Sequence, residues 1–86
     1  MPEISRFFGL VLTMNYNDHP PPHFHVEYGG AKAIIRIPDM NVLAGYLPKR
    51  IVRLVKDWGL RHRNELMTNW LLVRSGQPPP RIEPLE

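Results

Sequence analysis

The chain has 86 residues, which is enough for one folded domain and too few for two. It has no cysteine, which excludes disulfides, a thiolate nucleophile and a cysteine-based zinc site, and favours a cytoplasmic location. The net charge of +3 is compatible with an acidic partner such as RNA, DNA or an acidic protein. The longest apolar stretch, residues 7–14, is too short to span a membrane, and residues 1–6 lack the features of a signal peptide.

The first predicted element is a strand over residues 6–16, because apolar side chains recur there at every second position. Its apolar face consists of Phe8, Leu10, Leu12, Met14 and Tyr16. A loop with three consecutive prolines, residues 17–22, follows and is expected to be stiff, since each proline fixes its own φ angle.

A β-hairpin is predicted next, with strands at residues 23–28 and 31–37 joined by Gly29 and Gly30. Two glycines between β-like runs are typical of a tight hairpin turn, which sets the register of the two strands. One face then pairs apolar residues, for example Phe24 with Ile35. The other face pairs His23 with Arg36, His25 with Ile34 and Glu27 with Lys32.

A short fourth strand is predicted at residues 42–46, followed by one long helix over residues 48–75 and an irregular tail over 77–86. The helix is indicated by apolar or aromatic positions spaced three and four apart, namely Ile51, Leu54, Val55, Trp58, His62, Leu66 and Trp70. Gly76 is expected to end the helix, and Gly59 is the expected place for a bend or break. In the tail, Ile82 and Leu85 are expected to dock on the core. The predicted fold is therefore α+β, a four-stranded antiparallel meander with a long C-terminal helix packed on one face.

The densest polar constellation is the strand face that carries His23, His25 and Glu27, next to Asp18 and His19 in the proline-rich loop. One hypothesis is a divalent metal site with the two histidines and Glu27 as ligands, although the chain requires no cofactor. A second hypothesis is acid–base catalysis. In that case His23 or His25 transfers the proton, Glu27 orients that histidine, and a nearby cation holds a phosphate.

The cations of that second hypothesis are Lys32 and Arg36, which lie across the hairpin. The simplest alternative is a solvated sheet face in which Glu27 and Lys32 form an ordinary cross-strand ion pair.

A second candidate binding surface is the start of the helix, where Lys49, Arg50 and Arg53 could bind a phosphate or an acidic partner. The alternative is a solvated basic helix face. Trp58 and Trp70 are expected to be core anchors, and His62 a boundary residue with one satisfied ring nitrogen.

The sequence resembles the family called domain of unknown function DUF4160. The resemblance runs nearly end to end and rests on five stretches: Met1 to Gly9, the run from Asn17-Asp18-His19 through Pro21-Pro22-His23-Phe24-His25 to Glu27-Tyr28, Leu47-Pro48 with Arg50, Asn69-Trp70, and Ile82 to Leu85. It implies a small bacterial cytoplasmic protein that is one half of a toxin–antitoxin-like pair, and it assigns no catalytic residues.

The sequence is compatible with three functions. The first is a binding or regulatory module that acts through a small protein partner, with RNA or DNA as the other candidate partner and no membrane involved. The second is a ribonuclease-like hydrolase that uses the His23, His25 and Glu27 face. The third is an adaptor without chemistry, whose contact would be an exposed Trp or Phe at a sheet edge. Homo-oligomerisation is left open.

Overall fold

The computed structural model describes residues 2–85 and has an α+β fold, with one antiparallel sheet followed by two helices. The strands are β1 (Glu3–Phe7), β2 (Leu10–Thr13), β3 (His23–Tyr28), β4 (Ala31–Arg36) and β5 (Val42–Gly45), and they lie in the sheet in chain order. The helices are α1 (Lys49–Arg61) and α2 (Arg63–Arg74). Met1 and Glu86, the last residue of the predicted tail, lie outside the described residues.

The prediction of a single strand over residues 6–16 is wrong, and the sheet therefore has five strands instead of four. Phe8 and Gly9 form a tight turn between β1 and β2, with φ angles of 48° and 80°, and Phe7 pairs with Leu10 across it. Phenylalanine rarely adopts a positive φ, so a turn at this position is hard to predict from the sequence. Because the chain reverses at this point, Phe8 is 59% exposed and does not share the buried face of Leu10.

The hairpin of β3 and β4 has the predicted turn and the predicted register. All six predicted pairs are present, from His23 opposite Arg36 to Tyr28 opposite Ala31. Phe24 and Ile35 are buried on the face covered by the helices, while His25 and Glu27 lie on the opposite face.

The prediction of one continuous helix over residues 48–75 is also wrong, since α1 ends at Arg61 and α2 begins at Arg63. The interruption lies at His62, which has φ −116° and ψ 23°, and not at Gly59. Gly59 stays helical and buried because it lies against the side chain of Met40, where a Cβ atom would overlap the sulfur. The predicted end at Gly76 is confirmed, with φ 80° just beyond α2.

The core lies between the sheet and the helices. Trp58 on α1 is fully buried and packs against Phe7 and Phe24, with ring centroids 5.5 and 5.9 Å apart. Trp70 on α2 is buried as well, so both tryptophans are core anchors as predicted. The helices cover the face of Phe24 and Ile35, and α2 also reaches His23 at the start of β3, whereas Glu27 and the rest of the opposite face stay open.

The tail packs along the outer edge of β1. The Ile82 N–H donates to the Ile4 carbonyl oxygen at 2.7 Å, and the Ser5 hydroxyl donates to the Ile82 carbonyl oxygen at 3.0 Å. Ile82 is buried and Leu85 is partly buried against the core, as predicted. Neither helix in residues 2–85 has the length and apolar character needed to cross a bilayer.

Candidate functional site

Three side chains converge where the proline-rich loop meets the start of β3. The Oδ2 atom of Asp18 lies 3.1 Å from His23 Nε2 and 2.8 Å from His25 Nε2. These three atoms all lie within 4.8 Å of one another. We call Asp18, His23 and His25 the His–Asp cluster. Two imidazoles and one carboxylate at this spacing are suited to binding a divalent metal ion or to sharing protons.

His23 is held in place from two sides. Its Nδ1 atom donates to the Pro21 carbonyl oxygen at 2.7 Å, because a carbonyl oxygen can only accept. Its ring packs against Trp70 of α2, with centroids 5.2 Å apart, and it is almost fully buried. The loop and the helix therefore fix the ring so that Nε2 points toward Asp18.

His25 is more accessible and has a second polar neighbour. Asn15 Nδ2 lies 3.2 Å from His25 Nε2, the same nitrogen that contacts Asp18. The Asn15 amide also donates to the Asp18 carboxylate, so Asn15 and His25 share this acceptor. The Oδ1 atom of the same Asn15 amide is buried and has no hydrogen-bond partner among residues 2–85.

The environment of Asp18 favours its ionised form. Burial raises the pKa of this carboxyl group, but the hydrogen bond and charge of His25, the charge of His23 and a hydrogen bond from Asn15 outweigh it and leave the pKa below its usual value. Arg74 of α2 donates to the Asp18 backbone oxygen at 2.7 Å and lies over the ring of Trp70. The loop that carries Asp18 is thus attached directly to α2.

The predicted carboxylate partner of the two histidines was Glu27, but the carboxylate that meets both of them belongs to Asp18. Glu27 is exposed further along β3, with Lys32 across from it on β4 and Val11 across from it on β2. Together with His25, these residues line a shallow groove of about 460 Å³ on the open sheet face. We call it the sheet groove. Its apolar part is formed largely by Val11, Ile34 and Ala44.

Arg36, a predicted phosphate-binding residue, is paired within its own turn. Its Nε atom donates to Asp39 Oδ1 at 3.0 Å, and its terminal nitrogen pairs with the other carboxylate oxygen. The guanidinium lowers the pKa of Asp39 to about 2, with a backbone hydrogen bond from Asn41 adding to the effect. Arg36 therefore stabilises the turn between β4 and β5.

The remaining predicted binding residues lie away from the His–Asp cluster. His19 is exposed on the loop and does not contribute a converging atom. Lys49, Arg50 and Arg53 lie at the start of α1, which packs on the other face of the sheet from the sheet groove. Arg50 donates to the Tyr28 hydroxyl at 3.2 Å.

Sequence reasoning missed Asn15, Trp70 and Arg74 as parts of this site. Only Asn15 had a detectable signal. Thr13 pairs with His25 across β2 and β3, so Asn15, two residues further on, falls beside the histidines on the same face. That inference needs the β2–β3 register, which the glycine turn of the other hairpin does not give. Trp70 and Arg74 come from a helix far along the chain.

His62 behaves as predicted, with one ring nitrogen satisfied. Its Nδ1 lies 2.6 Å from Glu65 Oε1, and its ring packs against Trp58 at 5.4 Å. His62 lies apart from the His–Asp cluster, at the break between α1 and α2.

Comparison with protein-family models gives a match over residues 9–71, more than half of the chain, to a model described as Domain of unknown function (DUF4160). A search of curated proteins and a search of solved structures gave no significant match. The matched span contains the whole His–Asp cluster and all of α1. The chain belongs to the DUF4160 family.

Proposed function

We propose that this chain is a small bacterial cytoplasmic binding module, one half of a toxin–antitoxin-like pair, which takes up an extended segment of its partner protein along β5. The observation that carries the proposal is the difference between the two edges of the sheet. The edge at β1 is covered by the chain's own tail through Ile82 and Ser5. In residues 2–85, β4 is the one strand that pairs with β5, so the outer edge of β5 faces solvent.

The composition of β5 supports strand addition. Val42 is 39% exposed, Leu43 is 42% exposed and Tyr46, directly after the strand, is 70% exposed. No charged residue and no proline lies between Val42 and Gly45. Proteins usually protect an exposed edge with charges, prolines or a covering segment, so an apolar edge without these features is suited to pairing with another strand.

The sheet groove lies next to this edge and supports the same conclusion. Ala44 and Gly45 of β5 line it together with Ile34 of β4. The open face of an antiparallel sheet is usually polar, and an apolar patch on it is typical of a binding surface. A segment that pairs with β5 can also place side chains in the groove.

A protein partner fits this surface better than nucleic acid does. The sheet groove carries one cation, Lys32, and one anion, Glu27, so it offers phosphate groups no net attraction. The basic start of α1 lies on the other face of the sheet.

The ribonuclease hypothesis has less support from the geometry. The two histidines lie close together, but Arg36, one of the two cations expected to hold the phosphate, pairs with Asp39, and the other, Lys32, lies opposite Glu27. The adaptor hypothesis required an exposed Trp or Phe at a sheet edge. Both tryptophans are buried, and Phe8 at the β1–β2 turn is the exposed aromatic of that kind.

The proposal is tested by selecting binders from a displayed library of linear peptides. We expect the selected peptides to be uncharged and apolar at alternate positions, and to bind Leu43→Lys protein at least tenfold more weakly than the unsubstituted protein. The matched control is Leu71→Lys, since Leu71 on α2 is 63% exposed and distant in sequence from β5. N-methylation of the peptide backbone should also abolish binding, because strand addition depends on backbone N–H groups.

Three outcomes would contradict the proposal. Selected peptides that bind Leu43→Lys and Leu71→Lys proteins equally well would place the binding surface elsewhere. A dimer in sedimentation experiments that Leu43→Lys dissociates would make the occupant of β5 a second copy. A gel shift with labelled single-stranded RNA that Arg50→Ala and Arg53→Ala abolish, with Leu43→Lys having no effect, would make the partner a nucleic acid.

A further inference from the structure

We propose that Asp18, His23 and His25 form a binding site for a divalent transition-metal ion of the zinc class. This proposal goes beyond strand addition at β5 and is independent of it. Four features of the cluster support a metal site: the proton position at His23, the second imidazole on the same oxygen of Asp18, the orphaned oxygen of Asn15 and the attachment of the cluster to α2.

The hydrogen bond of His23 defines which of its ring nitrogens carries a proton. Nδ1 must carry a hydrogen, because it lies 2.7 Å from the Pro21 carbonyl oxygen. In a neutral imidazole, Nε2 then presents a lone pair, and this lone pair faces a carboxylate oxygen of Asp18 at 3.1 Å. Two electron-rich atoms at that distance need a cation between them, either a second proton on the ring or a metal ion. Metal-binding histidines characteristically donate their other ring N–H to a backbone carbonyl, as His23 does.

The same oxygen of Asp18 meets the second imidazole. His25 Nε2 is 2.8 Å from Asp18 Oδ2 and 3.2 Å from Asn15 Nδ2. The amide of Asn15 also donates to Asp18, so both imidazoles and this amide converge on one carboxylate. A metal ion between the two imidazoles and the carboxylate would take both Nε2 lone pairs and the Asp18 oxygen as ligands.

Asn15 provides an independent observation. Its Oδ1 atom is buried and has no hydrogen-bond partner among residues 2–85, although the amide group adjoins His25. Buried polar atoms of folded proteins are almost always paired, and a bound ion or its water is one of the recognised reasons for an exception. The orphaned oxygen lies beside the His–Asp cluster.

Two of the three separations between the ligand atoms are close to the spacing that zinc needs, and the third is within 4.8 Å. A tetrahedral zinc ion with ligands at 2.0–2.2 Å holds them about 3.4 Å apart. The two contacts of Asp18 Oδ2, at 3.1 and 2.8 Å, would open by only a few tenths of an ångström. Arg74 and Trp70 of α2 anchor the loop and the ring of His23, so the positions are held without the ion.

The donor atoms determine the class of metal. Two imidazole nitrogens and one carboxylate oxygen suit zinc and neighbouring transition metals, whereas magnesium and calcium prefer oxygen ligands alone. Three protein ligands leave a coordination position for water or another ligand. His25 also lines the sheet groove, so the site adjoins the surface that we assign to the partner.

The test uses tag-free protein that has been treated with EDTA and dialysed, titrated with zinc chloride in a calorimeter. We expect saturation at one ion per chain, with magnesium chloride giving no binding. Asp18→Asn and His25→Gln should each weaken zinc binding by about tenfold or more. The matched control is His62→Gln, which removes a histidine that also pairs with a carboxylate, that of Glu65, but has no second histidine beside it.

A second measurement on the unsubstituted protein covers the case in which a variant fails to fold. In nitrogen-15 NMR spectra of the imidazole rings, one equivalent of zinc should shift Nε2 of His23 and of His25 and leave His62 unchanged. The proposal is overturned if zinc fails to saturate at one ion per chain, if His62→Gln weakens binding as much as His25→Gln, or if zinc shifts the rings of His23 and His25 no more than that of His62.

Discussion

At the scale of single residues, Gly59 shows how one atom constrains a helix. It is buried within α1, and a Cβ atom there would overlap the sulfur of Met40. Met40 is itself fully buried and has a φ of 59°, so its backbone and side chain have little freedom to move away. The usual cost of glycine in a helix, about 1 kcal/mol relative to alanine, is here offset by close packing between α1 and the β4–β5 turn.

We therefore expect Gly59→Ala to lower the free energy of unfolding by about 1–3 kcal/mol, because overpacking a filled core costs more than the gain in helix propensity. Urea denaturation measures this. In a Met40→Ala background the obstructing side chain is absent, so the same change should become neutral or stabilising. Gly30→Ala is the control, since a Cβ atom at Gly30 meets nothing within 4 Å. A stabilising Gly59→Ala in the unsubstituted background would contradict the packing argument.

At the scale of elements, the two hairpins show what the sequence predicts and what it does not. Gly29 and Gly30 supply a turn at almost no conformational cost, so the turn and the alternation of β3 and β4 lead to the same register. The turn at Phe8 and Gly9 depends on a phenylalanine with positive φ, which local propensity disfavours and packing of Phe7 under Trp58 compensates. The tertiary contact decides the structure there.

In the helices and in the site, too, some features follow from the local sequence and others depend on tertiary contacts. Three- and four-residue spacing predicts the buried stripe correctly, but the break at His62 depends on the contact of its ring with Trp58 and on its bond to Glu65. For the site, the alternation of β3 places His23 and His25 on one face. The position of Asp18 depends on how the loop folds back and on its attachment to α2 through Arg74, which no local pattern encodes.

The tail is an element without regular structure that nevertheless stabilises the fold. Asn69 of α2 donates to the Pro80 carbonyl oxygen at 2.9 Å, and the indole of Trp58 donates to the Glu83 carbonyl oxygen at 2.8 Å. Between these two anchors, Ile82 is buried against the core. The tail therefore covers both the edge of β1 and the buried polar groups of the helices.

We expect Ile82→Ala to lower the free energy of unfolding by about 2–5 kcal/mol, because it leaves a cavity and weakens the cover over β1. Chemical denaturation gives the magnitude, and amide hydrogen exchange should show faster exchange in β1 than in β3. Leu71→Ala, at an exposed position on α2, should change the stability by no more than about 0.5 kcal/mol. Equal effects of the two substitutions would mean that the tail does not contribute to the core.

At the scale of the whole molecule, the chain protects one side and leaves the other open. The helices cover one face of the sheet and the tail covers the edge at β1, whereas the sheet groove and the edge at β5 stay exposed. His25 belongs both to the His–Asp cluster and to the lining of the sheet groove. A metal ion and a partner segment would therefore meet on the same open side.

The contact between the tail and β1 also makes the free energy of unfolding depend on pH. The Glu3 carboxylate accepts hydrogen bonds from Arg6 on β1 and from Arg81 in the tail, and it thereby joins the two ends of the chain. These bonds, that of Arg6 first, lower the pKa of Glu3 from its ordinary 4.5 to about 2. Because the pKa is lower in the folded state, the ionised carboxylate stabilises the fold above pH 4.5. This contribution is lost as the pH falls from about 4.5 through about 2.

Glu3→Gln should therefore unfold at a lower denaturant concentration than the unsubstituted protein at pH 7, and the difference should shrink below pH 4.5 and vanish near pH 2. Denaturation curves at a series of pH values at low salt measure this, since added salt screens exposed ion pairs. Glu83→Gln removes a tail carboxylate that has no ion-pair partner among residues 2–85, so it should shift the midpoint little at pH 7. A Glu3→Gln deficit that persists unchanged at pH 2 would show that Glu3 acts through packing, and that its charge does not hold the tail to β1.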